Sequence, residues 1–396
     1  MPNLGIRVNN TGAIGIYLVV GATQTARSGQ AGTVSYLPLG TCDTFPRVAV
    51  GNQLVPVVND LYGDTPFDTY HGGMVGSISM NLNRFSWANL LRLICGDAQA
   101  SLSTEAVAGQ FTIGRHGLRI GRNDATAIGL LMVYSGVAGS RPAANAGDTL
   151  QLAGRTYHSV GLKTLAITGM GSRAFSVAIE LVPAQGIING QIEMYRDLTA
   201  IPVVSPVLAL SDFTTFDPFH TGAVGVYGGA SGVYNPIGHC ASFPEVMIKR
   251  DLAPVANDLF GDAPFDYTVG GQSAQIDMNF TRMDQFNLDA AIRGGFTSVK
   301  GALPLSGAGA PGGMSSTLGS SLRLWWPNTT RPSASSTLTF PYGHIETEVT
   351  TQSGSRASQN AVSFKASSRQ DTAGAELVQF AFDNVNGSFA DFSPTP

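Results

Sequence analysis

The chain has 396 residues, with 23 Lys plus Arg against 27 Asp plus Glu, and a formal net charge of −4. This length predicts two or three domains, and the slightly negative charge argues against a protein that basic patches hold on nucleic acid. Only 13% of the residues are charged while 48 are glycine, which indicates many turns and a surface prone to associate with itself or with partners.

The amino-terminal segment predicts a strand and no membrane or export segment. The apolar run at residues 13–22 is much shorter than the roughly 20 residues that a membrane-spanning helix requires. The first residues lack the basic and apolar regions of a secretory signal, so we expect none to be removed. Within the run, residues 15–20 are rich in β-branched side chains, which is typical of a strand.

A long internal duplication is the most informative feature of the sequence. Residues 42–84 match residues 240–282 without a gap at an offset of 198 (240 − 42), and 21 of the 43 aligned positions are identical. Upstream, residues 11–17 match residues 221–227 at an offset of 210 (221 − 11). The difference of 12 predicts an insertion in the first copy, in a longer hairpin around residues 25–32.

The offset also divides the chain. Half of 396 is 198, so we predict two homologous domains in tandem, residues 1–205 and residues 206–396. The segment 201–206 contains two prolines and is predicted to form the extended link between them.

Each copy of the duplicated block contains an acidic turn motif, NDLYGDTPFD in the first and NDLFGDAPFD in the second. The recurring residues are Asp60, Gly63, Asp64, Pro66 and Asp68, and then Asp258, Gly261, Asp262, Pro264 and Asp266. One interpretation is a calcium site, because hard cations bind several carboxylate and carbonyl oxygens. We favour a structural turn, in which the aspartates accept hydrogen bonds from backbone amides and the glycine supplies a positive φ. We therefore predict neither a metal nor a cofactor.

The rest of each copy predicts strands and one helix. Alternating polar and apolar residues at 75–83 and 274–280 indicate equivalent strands, each preceded by a glycine pair that suits a turn or bulge. An amphipathic pattern from Trp87, ended by Gly96, predicts a short helix, and the second copy repeats it up to Gly294. Further strands are predicted at residues 126–134, 162–168, 174–181, 361–366 and 376–382.

These elements predict a mainly β protein. We expect two homologous β-sandwich or barrel domains in tandem, each with a short flanking helix. The segment between Gly301 and Ser321 is rich in Gly, Ser and Pro, which predicts an exposed flexible loop.

The sequence offers no evident catalytic constellation. The six histidines form no HxxxH or HxH pair, and the three cysteines lack the spacing of a zinc site or a disulfide framework. Cys42 and Cys240 are equivalent in the two copies, so each is expected to fill the same core position in its own domain. The motifs of hydrolases, phosphate loops and dinucleotide-binding folds are missing. This argues against an enzyme.

Two pairs of residues are candidates for an interface. Trp325 and Trp326 suit a sugar platform, an interface anchor or, as we favour, a core position beside a strand. Arg84 and Arg282 close the duplicated block at equivalent positions. They suit salt bridges with the repeated aspartates, for example Arg84 with Asp68, or a subunit contact.

The duplicated block, VPVxNDLyGDxPFD followed by GG, an alternating strand and Asn-x-x-Arg, resembles virion structural proteins of tailed bacteriophages, especially tail tube proteins. The match covers residues 42–84 and 240–282, under a quarter of the chain. The resemblance implies a small β-sandwich or barrel with a flanking helix, stacked in rings of six domains. Three copies of a duplicated chain would supply six domains (3 × 2), joined by contacts that close by rotation.

The resemblance also implies partners and a location. We expect a homo-oligomer in a phage tail, assembled in the host cytoplasm, in contact with other virion proteins, with DNA passing non-specifically through the lumen and no membrane. One alternative is a capsid decoration, collar or baseplate component that forms a closed oligomer without stacking. The other is a carbohydrate-binding or carbohydrate-processing β-protein that uses the two tryptophans and the aspartates.

Overall fold

In the part of the chain that the computed structural model describes, most residues lie in antiparallel strands. The described residues are 14–20, 35–42, 44–58, 61, 65–66, 68–95, 128–135, 152–157, 160–170, 174–184, 192–195, 224–230, 233–240, 242–256, 264, 266–284, 287–288, 320–327, 335–353, 357–367 and 379–382. Within them, seventeen strands belong to one hydrogen-bonded network. The predicted mainly β class is confirmed.

The first half of the chain contributes nine strands and one helix. They are β1 (Ile14–Val20), β2 (Ser35–Cys42), β3 (Arg47–Val57), β4 (Asp68–Phe85), α1 (Trp87–Cys95), β5 (Ile128–Ser135), β6 (Leu152–Tyr157), β7 (Val160–Met170), β8 (Ala174–Pro183) and β9 (Ile192–Tyr195).

The second half contributes eight strands. They are β10 (Val224–Ala230), β11 (Val233–Cys240), β12 (Glu245–Val255), β13 (Asp266–Met283), β14 (Ser320–Pro327), β15 (Ser335–Ser353), β16 (Ala357–Ser367) and β17 (Gln379–Phe382). Asn287 and Leu288, after β13, are helical.

The sequence patterns located many of these elements. The strands predicted at 15–20, 75–83, 126–134, 162–168, 174–181, 274–280, 361–366 and 376–382 fall on β1, β4, β5, β7, β8, β13, β16 and β17. The predicted glycine-rich loop ends too late, because Ser320 already belongs to β14. The other residues of that loop lie outside the described part of the chain.

The strand pairings of the second half repeat those of the first. β1 pairs with β2 and β5, and β10 pairs with β11 and β14; the register shifts after Ile16 in one hairpin and after Val226 in the other. Residues 21–34 connect β1 to β2, whereas residues 231–232 connect β10 to β11. The difference, 14 − 2 = 12 residues, equals the insertion predicted from the two offsets. The predicted domain boundary, at residues 205 and 206, lies outside the described residues.

Strand β15 makes the strand pairings in the second half that β6 and β7 make separately in the first half. Its first part pairs with β14 and β17, as β6 pairs with β5 and β9. Its second part pairs with β16, as β7 pairs with β8. The change of partner occurs at Gly343, where an added Cβ would lie 2.3 Å from the Lys365 carbonyl oxygen. Glycine permits this close approach of two backbones.

Helix α1 is amphipathic, as its sequence predicts, and its first turn is capped. Leu90, Leu93 and Ile94 are buried in the core. Ser86 caps the helix, because its carbonyl accepts from the Leu90 amide at 2.8 Å and its hydroxyl lies 3.4 Å from the Asn89 amide. In the second half Asp284 holds the equivalent position and accepts from the Asn287 amide at 3.0 Å.

The duplicated glycine pairs form bulges. The sequence suggests either a turn or a bulge at these positions. Between β12 and β13, Asp251 faces Gly271 and Leu252 faces Val269, so Gly270 is the extra residue. The register of β3 and β4 shifts at Gly72-Gly73 in the same way. The bulges lie inside β4 and β13 rather than before them, because each strand begins at the aspartate that ends the turn motif.

Candidate functional site

The two halves are joined through their sheets. Strand β7 of the first half pairs antiparallel with β12 of the second, from Ile167 opposite Val246 to Thr164 opposite Lys249. This joint makes one continuous sheet of eight strands in the order β3, β4, β8, β7, β12, β13, β16 and the second part of β15. Four strands come from each half.

One face of this eight-stranded sheet covers the core. A cross-strand row runs over the joint through seven strands, with every side chain buried: Leu82, Val177, Ile167, Val246, Ile276, Phe364 and Ile345. Such a row of apolar contacts across strands is the main source of sheet stability. The joint is therefore part of the core.

The opposite face is polar. The neighbouring row contains Arg47, Ser79, Glu180, Thr164, Lys249, Ser273 and Ser367. Lys163 neutralises Glu180 at 2.9 Å, and Lys365 forms an ion pair with Glu346. Glu245 and Asp277 face each other on the same side of the sheet as Lys249. Charges of both signs are therefore interspersed on this face, which we call the polar face.

A buried arginine fastens the joint. Arg250 of β12 is 5% exposed, and its guanidinium donates to the carbonyl of Ile94 in the last turn of α1. With the Gln272 side-chain amide oriented so that its oxygen faces Arg250, the same guanidinium donates to that oxygen at 2.6 and 2.8 Å. A cation is favoured at a helix carboxyl end, where unpaired carbonyls carry negative partial charge. In the first copy the equivalent residue is Asn52 (250 − 198).

Aromatic rings pack on the same joint. Trp326 of the second half lies 5.6 Å from Trp87 of α1 and 5.2 Å from Phe243, between ring centroids. Phe243 also covers Gly169 at the end of β7, where an added Cβ would lie 3.3 Å from the Phe243 Cβ. Trp325 and Trp326 are 5% and 3% exposed, so neither ring offers a platform for a sugar.

Both edges of the eight-stranded sheet have one partner each among the described residues. β3 pairs with β4, and the second part of β15 pairs with β16. The burial of equivalent positions differs accordingly. Val246 and Ile248 of β12 are 0% and 1% exposed, whereas Val50, the equivalent of Ile248, is 42% exposed. The edge of β3 is thus equivalent to the edge of β12 that β7 covers.

Exposed apolar side chains concentrate on the hairpin of β3 and β4. Seven large apolar side chains of the described residues are exposed: Val50, Leu54, Val58, Leu61, Tyr70, Val75 and Val349. Six belong to the hairpin of β3 and β4 with its connection, and the seventh belongs to β15. Six exposed apolar side chains in one hairpin differ from the single, scattered ones of ordinary surfaces.

The acidic turn motif is described in part. Asp68 and Asp266 begin β4 and β13, and each carboxylate accepts a hydrogen bond from the next backbone amide, at 2.8 and 2.7 Å. Asp68 is exposed, whereas Asp266 is 1% exposed. Pro66 and Pro264 belong to no helix or strand. The other predicted motif residues, Asp60, Gly63, Asp64, Asp258, Gly261 and Asp262, lie outside the described residues.

The suggested salt bridge between Arg84 and Asp68 is wrong. The two residues lie near opposite ends of β4, 16 positions apart, which is about 50 Å at the rise of a strand. Arg84 instead faces Thr41 of β2, and Arg282 faces His239 of β11 at the equivalent position. Both arginines are exposed.

One histidine and two cysteines of the described residues have surroundings that can be given in detail. Burial, followed by the charge of Arg282, lowers the pKa of His239, whose ring lies 3.3 Å from the Thr281 hydroxyl. Cys42 and Cys240 are buried at equivalent core positions, as predicted. Burial raises the pKa of Cys240 to about 12, so its thiol stays protonated and unreactive.

The polar face contains a groove that is large enough for a small molecule. It has a volume of about 450 Å³ and lies across β3, β4, β8, β7 and β12, with Arg47, Glu180 and Met247 on its walls. No cysteine or histidine lines it. Among the described residues, no group of three or more His, Cys, Asp and Glu side chains is arranged to hold a metal.

The sequence analysis did not predict the joint. It also missed two contacts inside the halves for which a signal existed, because Asn89 and Asn287 are identical at the offset of 198, just beyond the duplicated block. Their side-chain amides donate to the carbonyls of Pro38 and Pro236, both at 2.7 Å, and thereby tie the helix to β2 and β11.

Comparisons with known proteins do not identify a family. Scanning the chain against models of protein families gives no match, and searching the curated proteins gives none either. Among the helices in the described residues, none has the length and apolar character needed to cross a membrane.

Proposed function

We propose that the chain is a structural subunit of a tailed-phage virion that assembles head to tail into rings, which stack into the tail tube. The observation that carries this proposal is the eight-stranded sheet, which crosses both halves and ends in two complementary edges. One edge, β3, is equivalent to β12, and the other, the second part of β15, is equivalent to β7. These are the two strands that join inside the chain.

A contact between different surfaces of identical subunits is heterologous, so it generates rings or open helices. Three copies would supply 24 strands (3 × 8) and six similar units (3 × 2). Closure removes the edges that would otherwise promote aggregation. A 24-stranded barrel with strands about 4.8 Å apart and tilted about 40° is about 48 Å across between backbones, which leaves a wide lumen.

The polar face is the one that lines this lumen. The opposite face is covered by the rest of each half and by α1, so it is not available to face a channel. Charges of both signs are interspersed on this face, and two lysines form ion pairs there with glutamates. Among its described residues, the face therefore has no continuous row of unpaired basic residues to which a moving polyanion could bind. This supports passage of DNA without retention.

Electron microscopy of the purified protein tests the proposal. We expect hollow cylinders of stacked rings at high protein concentration. Discrete closed rings that never stack would instead support a decoration, collar or baseplate component. Monomers at high concentration would overturn both proposals.

A further inference from the structure

We propose that the contact between copies repeats the internal joint in register, with Ala49 of one copy directly opposite Val349 of a second copy. The partner is thus a second copy of this chain, and the inference rests on the head-to-tail assembly proposed above. It adds which strands meet, in which direction and at which residues.

The register follows from three sets of strand pairs. Between β4 and β8, Met80 faces Ile179; between β13 and β16, Met278 faces Val362. Because Met278 is equivalent to Met80 at the offset of 198, β16 is equivalent to β8 at an offset of 183 (362 − 179). Ala178 faces Ala166 of β7, and Ala361 faces Val349 of β15. Val349 is therefore the counterpart of Ala166 (349 − 166 = 183).

The internal joint then supplies the pairing between copies. Ala166 faces Met247 inside the chain, and Met247 is equivalent to Ala49 (247 − 198). Transferring the joint pairs Val349 with Ala49, Thr350 with Val48, Glu348 with Val50 and Thr347 with Gly51. A bulge supports the equivalence, because the register of β7 shifts between Leu162 and Thr164 and that of β15 shifts between Ile345 and Thr347.

Exposure supports the same surfaces. Val349 is 54% exposed and Val50 is 42% exposed, although both are apolar strand residues. Ala49 is exposed as well, whereas its counterpart Met247 is partly covered by β7. The contact would cover the apolar edges that the single chain leaves open.

The contact between copies differs from the internal joint in two respects. It lacks the buried arginine, because Asn52 replaces Arg250, and the residue equivalent to Trp87 in the sequence is Gln285. Copies should therefore separate more readily than the halves of one chain. We expect assemblies to dissociate into folded chains before they unfold.

Paired cysteines test the register. In a Cys95→Ser background, the variant Ala49→Cys with Val349→Cys should form disulfides between copies under mild oxidation, because directly opposite strand residues lie within disulfide range. Denaturing gels should show cross-linked multimers. Both positions are exposed, so folding should be retained.

Two controls match this variant. Ala166→Cys with Met247→Cys places cysteines at the equivalent internal pair, so it should give a disulfide within one chain. Ala49→Cys with Ala361→Cys uses a residue on the same face one strand farther from the edge, about 5 Å more distant, so it should not cross-link.

The outcomes separate the two proposals. Cross-linked multimers without hollow cylinders would support the contact and contradict the tube. Hollow cylinders in which the Ala49 and Val349 cysteines do not cross-link, while the internal pair does, would overturn the contact and leave the tube proposal standing. Equal cross-linking of Ala361→Cys would also overturn the register.

Discussion

Arg250 illustrates how one residue distinguishes two copies of the same strand. Its buried guanidinium joins α1 of the first half to β12 and β13 of the second. Removing it leaves the Ile94 carbonyl and the Gln272 oxygen buried without this donor.

Arg250→Met should lower the free energy of unfolding by about 1–3 kcal/mol, the cost of leaving buried polar groups unsatisfied. Chemical denaturation followed by circular dichroism measures this. Lys249→Met is the matched control, because Lys249 is the exposed neighbour on the polar face and its loss should cost less than about 0.5 kcal/mol. Equal losses in the two variants would show that Arg250 does not hold the joint.

His239 makes stability depend on pH. Burial and the charge of Arg282 lower its pKa in the folded chain, so the unfolded chain takes up a proton first as the pH falls. The stability that this group contributes is therefore present above about pH 6.5 and is lost as the pH falls through the lower folded-state pKa.

The first copy supplies a matched substitution, because Thr41 stands at the position of His239. His239→Thr should flatten the fall in denaturation midpoint between pH 7 and pH 5 relative to the natural chain. A pH profile with the same slope in both proteins would contradict the shifted pKa.

At two equivalent positions, adjacent strands approach so closely that the residue must be glycine. A Cβ added at Gly238 of β11 would lie 2.7 Å from the Arg282 carbonyl oxygen and 2.5 Å from Phe280 Cδ1. A Cβ added at the equivalent Gly40 would lie 2.3 Å from the Arg84 carbonyl oxygen. Both glycines stand where β2 or β11 meets the end of the long strand.

Gly238→Ala should destabilise the chain by about 1–3 kcal/mol, because overpacking forces a backbone shift. Gly271→Ala in β13 is the control, since its nearest contact would be an ordinary 3.8 Å from the Asp251 carboxylate. Thermal unfolding compares them. If Gly271→Ala is as damaging as Gly238→Ala, the crowding at β11 is not the cause.

The elements that sequence could predict are those whose signal is local. Alternation in β4 and β13 and the apolar stripe of α1 were sufficient, because burial of one face imposes a period on the chain. Strand β3 escaped prediction because its pattern includes Gly51 and Pro56, residues that are depleted in strands.

The joint between β7 and β12 escaped prediction for a different reason. Which strands pair depends on the tertiary arrangement and leaves no periodic signal in either strand. Differences between the copies, such as Arg250 against Asn52, reflect which strand is covered at the joint. They can be interpreted only when the neighbours of the equivalent strands are known.

In the assembled protein, the polar face is proposed to line the lumen, and DNA is proposed to pass along it without binding. Ser79→Lys with Ser273→Lys adds two cations per chain at exposed positions in one row. Assemblies of this variant should retain DNA, with an affinity that falls steeply as salt rises, because each lysine releases counterions.

The matched control is Ser79→Gln with Ser273→Gln, which changes size without charge. Co-sedimentation of assemblies with duplex DNA at increasing salt measures the difference. Equal DNA retention in the two variants would place this face away from the lumen.

A reconstruction of the assembled protein by cryo-electron microscopy would show the contact between copies itself. We expect a closed barrel of 24 strands, with β3 of each copy hydrogen-bonded antiparallel to the second part of β15 of the next, and with the polar face inward. An assembly in which β3 remains unpaired, pairs with another β3, or lies away from β15 would contradict this expectation.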